Sequence, residues 1–147
     1  MKKLCTIGHT KKSLEHFINL LRNAGVDLMM DIRLKNTSQL AGFSKRDDLA
    51  FLLREGFGIE YVHLPDLAPT QEMLDDYSTT KDWEMYEAKF RELIVERDMS
   101  HLVLDCASEH KTPCLLCSED DPTKCHRRLL AEVLAASLPG LEVFHLR

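Results

Sequence analysis

Short apolar runs alternate with longer amphipathic segments along the whole chain. The apolar runs end at glycine, proline or charged residues, which is typical of buried β-strands. They predict strands at residues 4–7, 26–32, 59–64, 113–116 and 141–146. Apolar residues at helical spacing predict helices at 14–24, after Ser44, and at 71–82, 83–97, 99–110 and 124–137.

Strands that are separated by helices favour parallel pairing, because a parallel pair needs a crossover connection. The pattern therefore predicts an α/β fold with a mostly parallel open sheet of about five strands and helices on both faces, a Rossmann-like three-layer arrangement. The length of 147 residues suits a single domain over residues 1–147. Strand order and oligomeric state stay open at this point.

Serine and glycine mark several predicted helix ends. Ser13 is expected to cap the first helix and Gly25 to stop it, Ser44 to cap the second, and Ser100 to cap the helix at 99–110.

Composition narrows the class of protein. The formal net charge of −5 argues against a broad nucleic-acid surface, and no apolar run approaches the length of a membrane span. The amino terminus has two lysines but too few apolar residues afterwards for a secretory signal, so we expect a cytoplasmic protein with no membrane partner. Five cysteines, an odd number, favour free thiols over a disulfide framework.

Polar residues appear where the predicted strands stop. In open parallel sheets, ligands bind beside the carboxyl ends of the strands, so one rim is expected to hold these side chains. The candidates at this rim are Gly8, His9, Asp31, Arg33, His63, Cys117 and Glu119. For each residue alone the alternative is that a strand end becomes polar simply because it meets solvent.

The second strand end offers a charged pair. Asp31 and Arg33 lie on one face of an extended segment, so they either pair with each other or jointly hold a phosphate or carboxylate. The loop at 35–39, with Ser38, is a candidate for binding substrate hydroxyls or phosphate oxygens, although loop solubility explains the same composition. His9 is either a site residue or bonded to its own turn, and His63 either a site residue or a core histidine.

The segment 113–137 reads as strand, polar turn and helix, which presents reactive groups beside a helix amino terminus. Cys117 is a candidate nucleophile whose thiolate the helix and Arg127 would stabilise, while Glu119 and the acidic pair after it would oppose that charge. Glu119 suits proton transfer. Arg127 is the expected anion contact.

A metal site at Cys117, Cys125 and His126 is the weaker alternative. Seven residues separate the cysteines, no second CxxC pair exists, and adjacent residues on a helix point in different directions, so we predict no metal. No glycine-rich dinucleotide fingerprint or GxxxxGK[ST] loop occurs, so no motif supports NAD or ATP, and the cofactor is unknown.

Five motifs carry a family resemblance across nearly the whole chain. They are TIGHT from Thr6, DIR from Asp31, GFSK from Gly42, IEYVHLPDL from Ile59 and LLCSEDDPTKCHRR from Leu115. In this order and spacing the chain resembles the domain of unknown function 488 family. The resemblance implies a compact α/β domain and no established activity.

These residues lead to three hypotheses. The first is a small enzyme that binds a phosphate-bearing substrate, a nucleotide or a nucleic-acid end, with Arg33 and Arg127 on the anionic oxygens, Gly8, Ser38 and His63 lining the site, Glu119 or Asp31 moving a proton, and Cys117 or His9 assisting. The second is a noncatalytic module that binds a ligand or a partner protein through the same groups. The third is a metal or redox site at the cysteines.

Overall fold

Five strands form one parallel sheet in the computed structural model, which describes residues 1–147. The strands are β1 (Lys3–Gly8), β2 (Leu28–Asp31), β3 (Glu60–His63), β4 (Pro113–Cys117) and β5 (Glu142–Leu146). Their order across the sheet is β3-β2-β4-β1-β5, and every neighbouring pair is parallel. The sheet is open, as the sequence predicts, and β3 and β5 lie at its edges.

Helices cover both faces of the sheet. They are α1 (Leu14–Ala24), α2 (Arg46–Phe57), α3 (Gln71–Thr80), α4 (Trp83–Glu96), α5 (Met99–Cys106) and α6 (His126–Ser137), with 3-10 turns at Gln39–Ser44 and Pro65–Leu67. Buried side chains of α1 and α2 pack in one apolar cluster, and those of α3 to α6 pack in the other. The predicted three-layer α/β fold is therefore confirmed. None of these helices has the length and apolar character that crossing a membrane requires.

The central strands are apolar on both faces because each face meets helices. In β2, Met29 belongs to the cluster under α1 and α2, whereas Leu28 and Met30 belong to the cluster under α3 to α6. A strand buried on both sides reads as a continuous apolar run instead of an alternating one. That is why the short apolar runs of the sequence locate β2 and β4.

The first helix ends where the sequence predicts. The Ser13 side chain accepts a hydrogen bond from the His16 amide at 3.1 Å, which satisfies one of the free amides of the first turn. Gly25 follows α1 with φ 73°, a left-handed conformation that glycine adopts without steric cost.

Two predicted caps are wrong. Ser44 ends the 3-10 turn and does not cap α2, because its hydroxyl donates to the Ala41 carbonyl at 2.8 Å and accepts from Arg33. Ser100 lies inside α5, which follows Asp98 and ends at Cys106. Asp98 has φ 48°, so the chain turns there between α4 and α5.

Strand β4 lies between β2 and β1. The loop after β4 leads to a helix on one face of the sheet, whereas the loops after β2 and β1 lead to helices on the other face. The helix α2 that follows β2 and the helix α1 that follows β1 pack on one face, while α6 packs on the other. Loops that diverge in this way leave a crevice at the carboxyl ends of the strands. The crevice between β2 and β4 is where the candidate site lies.

Candidate functional site

The strand ends meet in register along one rim. Gly8 pairs with Cys117 across β1 and β4, and Asp31 pairs with His63 across β2 and β3. The pairing of β1 with β4 continues past the strands, since the His9 amide donates to the Cys117 carbonyl at 3.3 Å. The residues that the sequence assigned to strand ends are thus neighbours in space, although they have different roles.

Gly8 allows the loop after β4 to cross the end of β1. A Cβ atom at this position would lie 1.7 Å from the Glu119 carbonyl oxygen, so any side chain would force the loop away. Gly8 does not line the cleft described below. Its role in the structure is the close approach of two backbones.

Arg127 is fully buried beneath that same loop. Its guanidinium donates to the Asp120 carbonyl at 3.1 Å, to the Glu119 carbonyl, and to the Thr6 hydroxyl at 3.2 Å. It also lies 3.5 Å from the Cys125 sulfur and forms no ion pair with a carboxylate. Arg127 therefore holds the loop in place and leaves a positive charge next to the sulfur atoms.

Two acidic residues of this loop, Asp120 and Asp121, have partners within the protein. Asp120 binds the Lys12 ammonium at 2.5 Å and Arg147 at 3.2 Å, and Asp121 accepts from the Thr123 amide at 2.9 Å. Lys12 and Arg147 therefore reduce the expected opposition of these two carboxylates to a Cys117 thiolate, whereas Glu119 has no cationic partner.

Asp31 and Arg33 form a buried ion pair. Arg33 Nε and the Asp31 carboxylate are 2.9 Å apart, and a second guanidinium nitrogen lies 2.7 Å from the other oxygen. Asn36 and the Tyr61 hydroxyl also donate to Asp31, while Arg33 donates to the Ser44 carbonyl at 2.7 Å. Burial opposes ionisation, but hydrogen bonds from Arg33, Tyr61 and Asn36 hold the pKa of Asp31 below its usual value. The sequence left open whether Asp31 and Arg33 pair with each other or jointly hold a phosphate or carboxylate. In the structure they pair with each other.

Three further candidates lie outside the cleft. His63 Nε2 lies 2.8 Å from the Arg33 carbonyl, and Ser38 accepts from the Leu40 amide at 3.2 Å. Burial, followed by the charge of Arg33, lowers the pKa of His9 to about 4. His9 is therefore neutral at pH 7.

A cleft of about 270 Å³ opens between the ends of β2 and β4 and the pair of helices α3 and α4. Of the candidates from the sequence it brings together Arg33, Cys117, Glu119, Cys125 and His126, and it leaves out Gly8, His9, Asp31, Ser38, His63 and Arg127. Glu119 is exposed, and its carboxylate has no hydrogen-bond or ion-pair partner. It is the free carboxylate of this cleft.

An aromatic wall closes the side of the cleft that α3 and α4 provide. Tyr77, Trp83 and Tyr86 are in mutual contact, with ring centroids 5.2 to 5.8 Å apart. The sequence interpretation missed this wall. Its signal was the helical spacing of Trp83 and Tyr86, but nothing local says that the wall faces Cys117.

Two lysines also line the cleft. Lys35 follows β2, Lys124 precedes α6, and both are exposed and form no ion pair. Lys35 belongs to the loop that the sequence offered for phosphate oxygens, whereas Lys124 was missed. These two lysines supply positive charge to the cleft, whereas the two buried arginines bind groups of the protein itself.

Three buried ligand-type side chains form the floor. The Cys117 and Cys125 sulfurs are 3.0 Å apart, and Cys117 Sγ is 3.6 Å from His126 Nδ1. The expectation that Cys125 and His126 point apart is wrong, because α6 begins at His126 and Cys125 is the extended cap residue before it, with φ −140°. The predicted start of this helix at residue 124 was two residues early.

The surroundings favour an ionised Cys117. The hydrogen bond from the Cys125 thiol lowers the pKa of Cys117; burial opposes this, and the Arg127 charge and the amides of Glu119 and Ser118 add to it. The same contact with Cys117, together with burial, raises the pKa of Cys125 well above its usual value. Of the two thiols, Cys117 at the floor of the cleft is therefore the one that ionises more readily.

The comparisons with known proteins agree with the resemblance in the motifs. A search of curated proteins and a search of solved structures each found no match. Residues 13–134, which include β2 to β4 and most of α6, match the family described as domain of unknown function DUF488. The family match thus covers every residue that lines the cleft, and we conclude that the chain belongs to the DUF488 family.

Proposed function

We propose that the protein is a small enzyme that binds a phosphate-bearing substrate, a nucleotide or a nucleic-acid end, in the cleft between β2 and β4. The observation that carries the proposal is the joint presence, in one cleft, of unpaired lysines, an aromatic wall and a buried cysteine, Cys117, whose pKa is lowered by its surroundings. Each group has a different use for such a substrate.

The lysines supply the site for the phosphate. Because neither Lys35 nor Lys124 has a carboxylate partner, a bound phosphate gains their charge without breaking an ion pair. The two buried arginines contribute less, since the donors of Arg33 and Arg127 already bind protein groups. This shifts anion binding from the arginines to the lysines.

The aromatic wall supplies the site for a flat ring. Bases stack on aromatic side chains with about 1–3 kcal/mol per base, and Trp83 and Tyr86 line the cleft beside Tyr77. The cleft volume of about 270 Å³ lies just below the usual range of ligand pockets, which suits at most a single nucleotide unit and not a duplex. The formal net charge of −5 likewise favours a local site over a broad nucleic-acid surface.

Glu119 and Cys117 supply the chemistry. Glu119 lines the cleft and its carboxylate has no partner in the protein, so it is free to exchange a proton with the substrate. Cys117 is the cysteine at the floor whose pKa is lowered by the Cys125 thiol and by Arg127. Asp31 is less suited to proton transfer because its carboxylate oxygens are already bonded to Arg33, Asn36 and Tyr61.

Trp83 provides a direct test, because it is the single tryptophan of the chain and it lines the cleft. Titration with nucleoside monophosphates is expected to change its fluorescence, and the matching nucleosides are expected to bind more weakly. Lys35→Gln and Lys124→Gln should each weaken nucleotide binding by roughly tenfold, about 1.4 kcal/mol. Lys111→Gln is the matched control, since this exposed lysine precedes β4 at the other end of the strand. Equal binding by all three variants would contradict the proposal.

Measuring product formation distinguishes an enzyme from a noncatalytic binding module. Wild-type protein incubated with nucleoside phosphates and short 5′-phosphorylated oligonucleotides is expected to form a product that mass spectrometry detects. Glu119→Gln should keep binding but lose product formation. Nucleotide binding without product, unaffected by Glu119→Gln and Cys117→Ser, would instead establish a binding module.

A further inference from the structure

We propose that Cys117, Cys125 and His126 form a site for one zinc ion, whose fourth coordination position opens into the cleft. The three ligand atoms lie within 4.8 Å of one another, and all three residues are at least nine-tenths buried. The site stands without the proposed function, and only its use on a phosphate-bearing substrate rests on that proposal.

The histidine is oriented as a ligand. His126 Nε2 lies 3.0 Å from the Ile32 carbonyl, and a carbonyl oxygen only accepts, so Nε2 carries a hydrogen. The lone pair of the neutral ring is then on Nδ1, the nitrogen that faces Cys117 Sγ at 3.6 Å. Metal-binding histidines commonly donate their other ring nitrogen to a backbone carbonyl in this way. Phe90 packs edge-on against the ring at 5.3 Å between centroids and fixes its plane.

The donor set selects the class of metal. Two thiolates and one imidazole suit zinc, whereas oxygen donors would suit magnesium or calcium. Two sulfurs on one tetrahedral zinc ion at about 2.3 Å lie roughly 3.8 Å apart, so the sulfurs, 3.0 Å apart in this structure, separate by under about 1 Å. Cys125 precedes α6, so this movement leaves the helix intact. Binding takes both sulfurs as thiolates, and the protons that the two thiols carry pass to solvent.

Three protein ligands leave one position for water or substrate, which is the pattern of catalytic zinc sites and not of structural ones. Cys117, Cys125 and His126 all line the cleft, so that position faces Glu119, Lys35 and Lys124. The buried Arg127 lies 3.5 Å from Cys125 Sγ and has no carboxylate partner. Its charge favours an anionic fourth ligand, either hydroxide or a phosphate oxygen.

Zinc analysis of the purified full-length chain tests the site. Protein that is expressed without a polyhistidine tag, reduced, loaded with zinc and dialysed is expected to retain one zinc ion per chain. Cys125→Ala and His126→Ala should each lower zinc affinity by at least about 100-fold. Cys106→Ala is the matched control, because this free cysteine lies on α5 away from the cleft, and it should retain the full amount.

Cobalt substitution tests the same site when a variant fails to fold. Wild-type protein with one equivalent of Co²⁺ is expected to show thiolate-to-cobalt charge-transfer absorption and the visible bands of tetrahedral cobalt. Folded wild-type protein that retains no zinc, or zinc that is equally retained by Cys125→Ala, would overturn the proposal. The Trp83 titration reports nucleotide binding separately, so failure of the metal site and failure of the proposed function are distinguishable.

Discussion

Two arginines are buried at the carboxyl ends of neighbouring strands, and their charges are balanced in different ways. Arg33, after β2, is 4% exposed and is paired with the Asp31 carboxylate through two contacts. Arg127, after β4, is 0% exposed and binds carbonyl and hydroxyl oxygens and a cysteine sulfur. At the end of β2 the two charges therefore pair with each other, whereas the end of β4 keeps a positive charge, without a carboxylate partner, beside the Cys125 sulfur.

This difference distinguishes charged residues that hold the fold together from charged residues that lie next to the groups of the candidate site. A buried cation without a carboxylate is costly, and the charge of Arg127 in turn lowers the pKa of Cys117, whose ionisation would supply a compensating negative charge. The charged motif at β2 fixes the loop that leads to Ser44, and the motif at β4 presents groups to the cleft. Charge in a sequence motif thus indicates a site only where the structure leaves that charge unsatisfied.

The largest expected effect on the free energy of unfolding comes from breaking the buried ion pair of Asp31 and Arg33. Arg33→Leu leaves the Asp31 carboxylate buried without its cation and should lower the free energy of unfolding by about 3–5 kcal/mol. Urea denaturation followed by circular dichroism measures this. Arg54→Leu is the control, since its ion pair with Glu55 is exposed, and it should cause no measurable change. Similar stabilities for the two variants would remove the contrast between the strand ends.

The second effect depends on pH. Asp31→Asn should lower stability by roughly 3 kcal/mol at pH 7, because Arg33 loses its partner. Since the pKa of Asp31 is below 3.8 in the folded protein, its contribution is present above pH 3.8 and is lost as pH falls through the folded-state pKa. The difference in unfolding free energy between wild type and Asp31→Asn should therefore stay constant from pH 7 to pH 5 and narrow below pH 3.8. Urea midpoints at these pH values test it, and a constant difference at every pH would contradict the charge pairing.

A smaller effect is expected where the two backbones cross. Gly8→Ala places a Cβ against the Glu119 carbonyl and should destabilise the fold by about 1–3 kcal/mol, because the loop over Arg127 must shift. Gly56→Ala is the matched control. Gly56 lies inside α2, and a Cβ there would lie 3.7 Å from the Leu52 side chain, an ordinary contact, so alanine should stabilise by about 0.5–1 kcal/mol. Thermal unfolding should show opposite signs for the two variants, and equal signs would argue against the close approach.

The smallest effect on stability is expected at Glu119, where the proposed function places a working residue. Its carboxylate is exposed and has no partner, so Glu119→Gln should change the free energy of unfolding by less than about 0.5 kcal/mol. Urea denaturation measures it beside Arg33→Leu. A large loss would show that Glu119 belongs to the framework and not to the cleft chemistry.

The local elements follow from the sequence because their causes are local. Ser13 caps α1 through an amide three residues away, and the apolar runs of β2 and β4 follow from burial on both faces. Ser44 was misassigned as a cap because its partners, Ala41 and Arg33, come together only when the loop folds back. The start of α6 was misplaced for a related reason, since the extended Cys125 turns toward Cys117 instead of continuing the helix.

The sequence by itself determined the α/β class, the alternation of strands and helices, the family resemblance and the position of polar residues at strand ends. These depend on periodicity and on groups near one another along the chain. Only the tertiary structure decided the strand order, the pairing of Asp31 with Arg33, and the cleft that joins Trp83, Lys35 and Cys117. Those contacts link distant segments, and whether a charge is satisfied depends on every partner that folding brings to it.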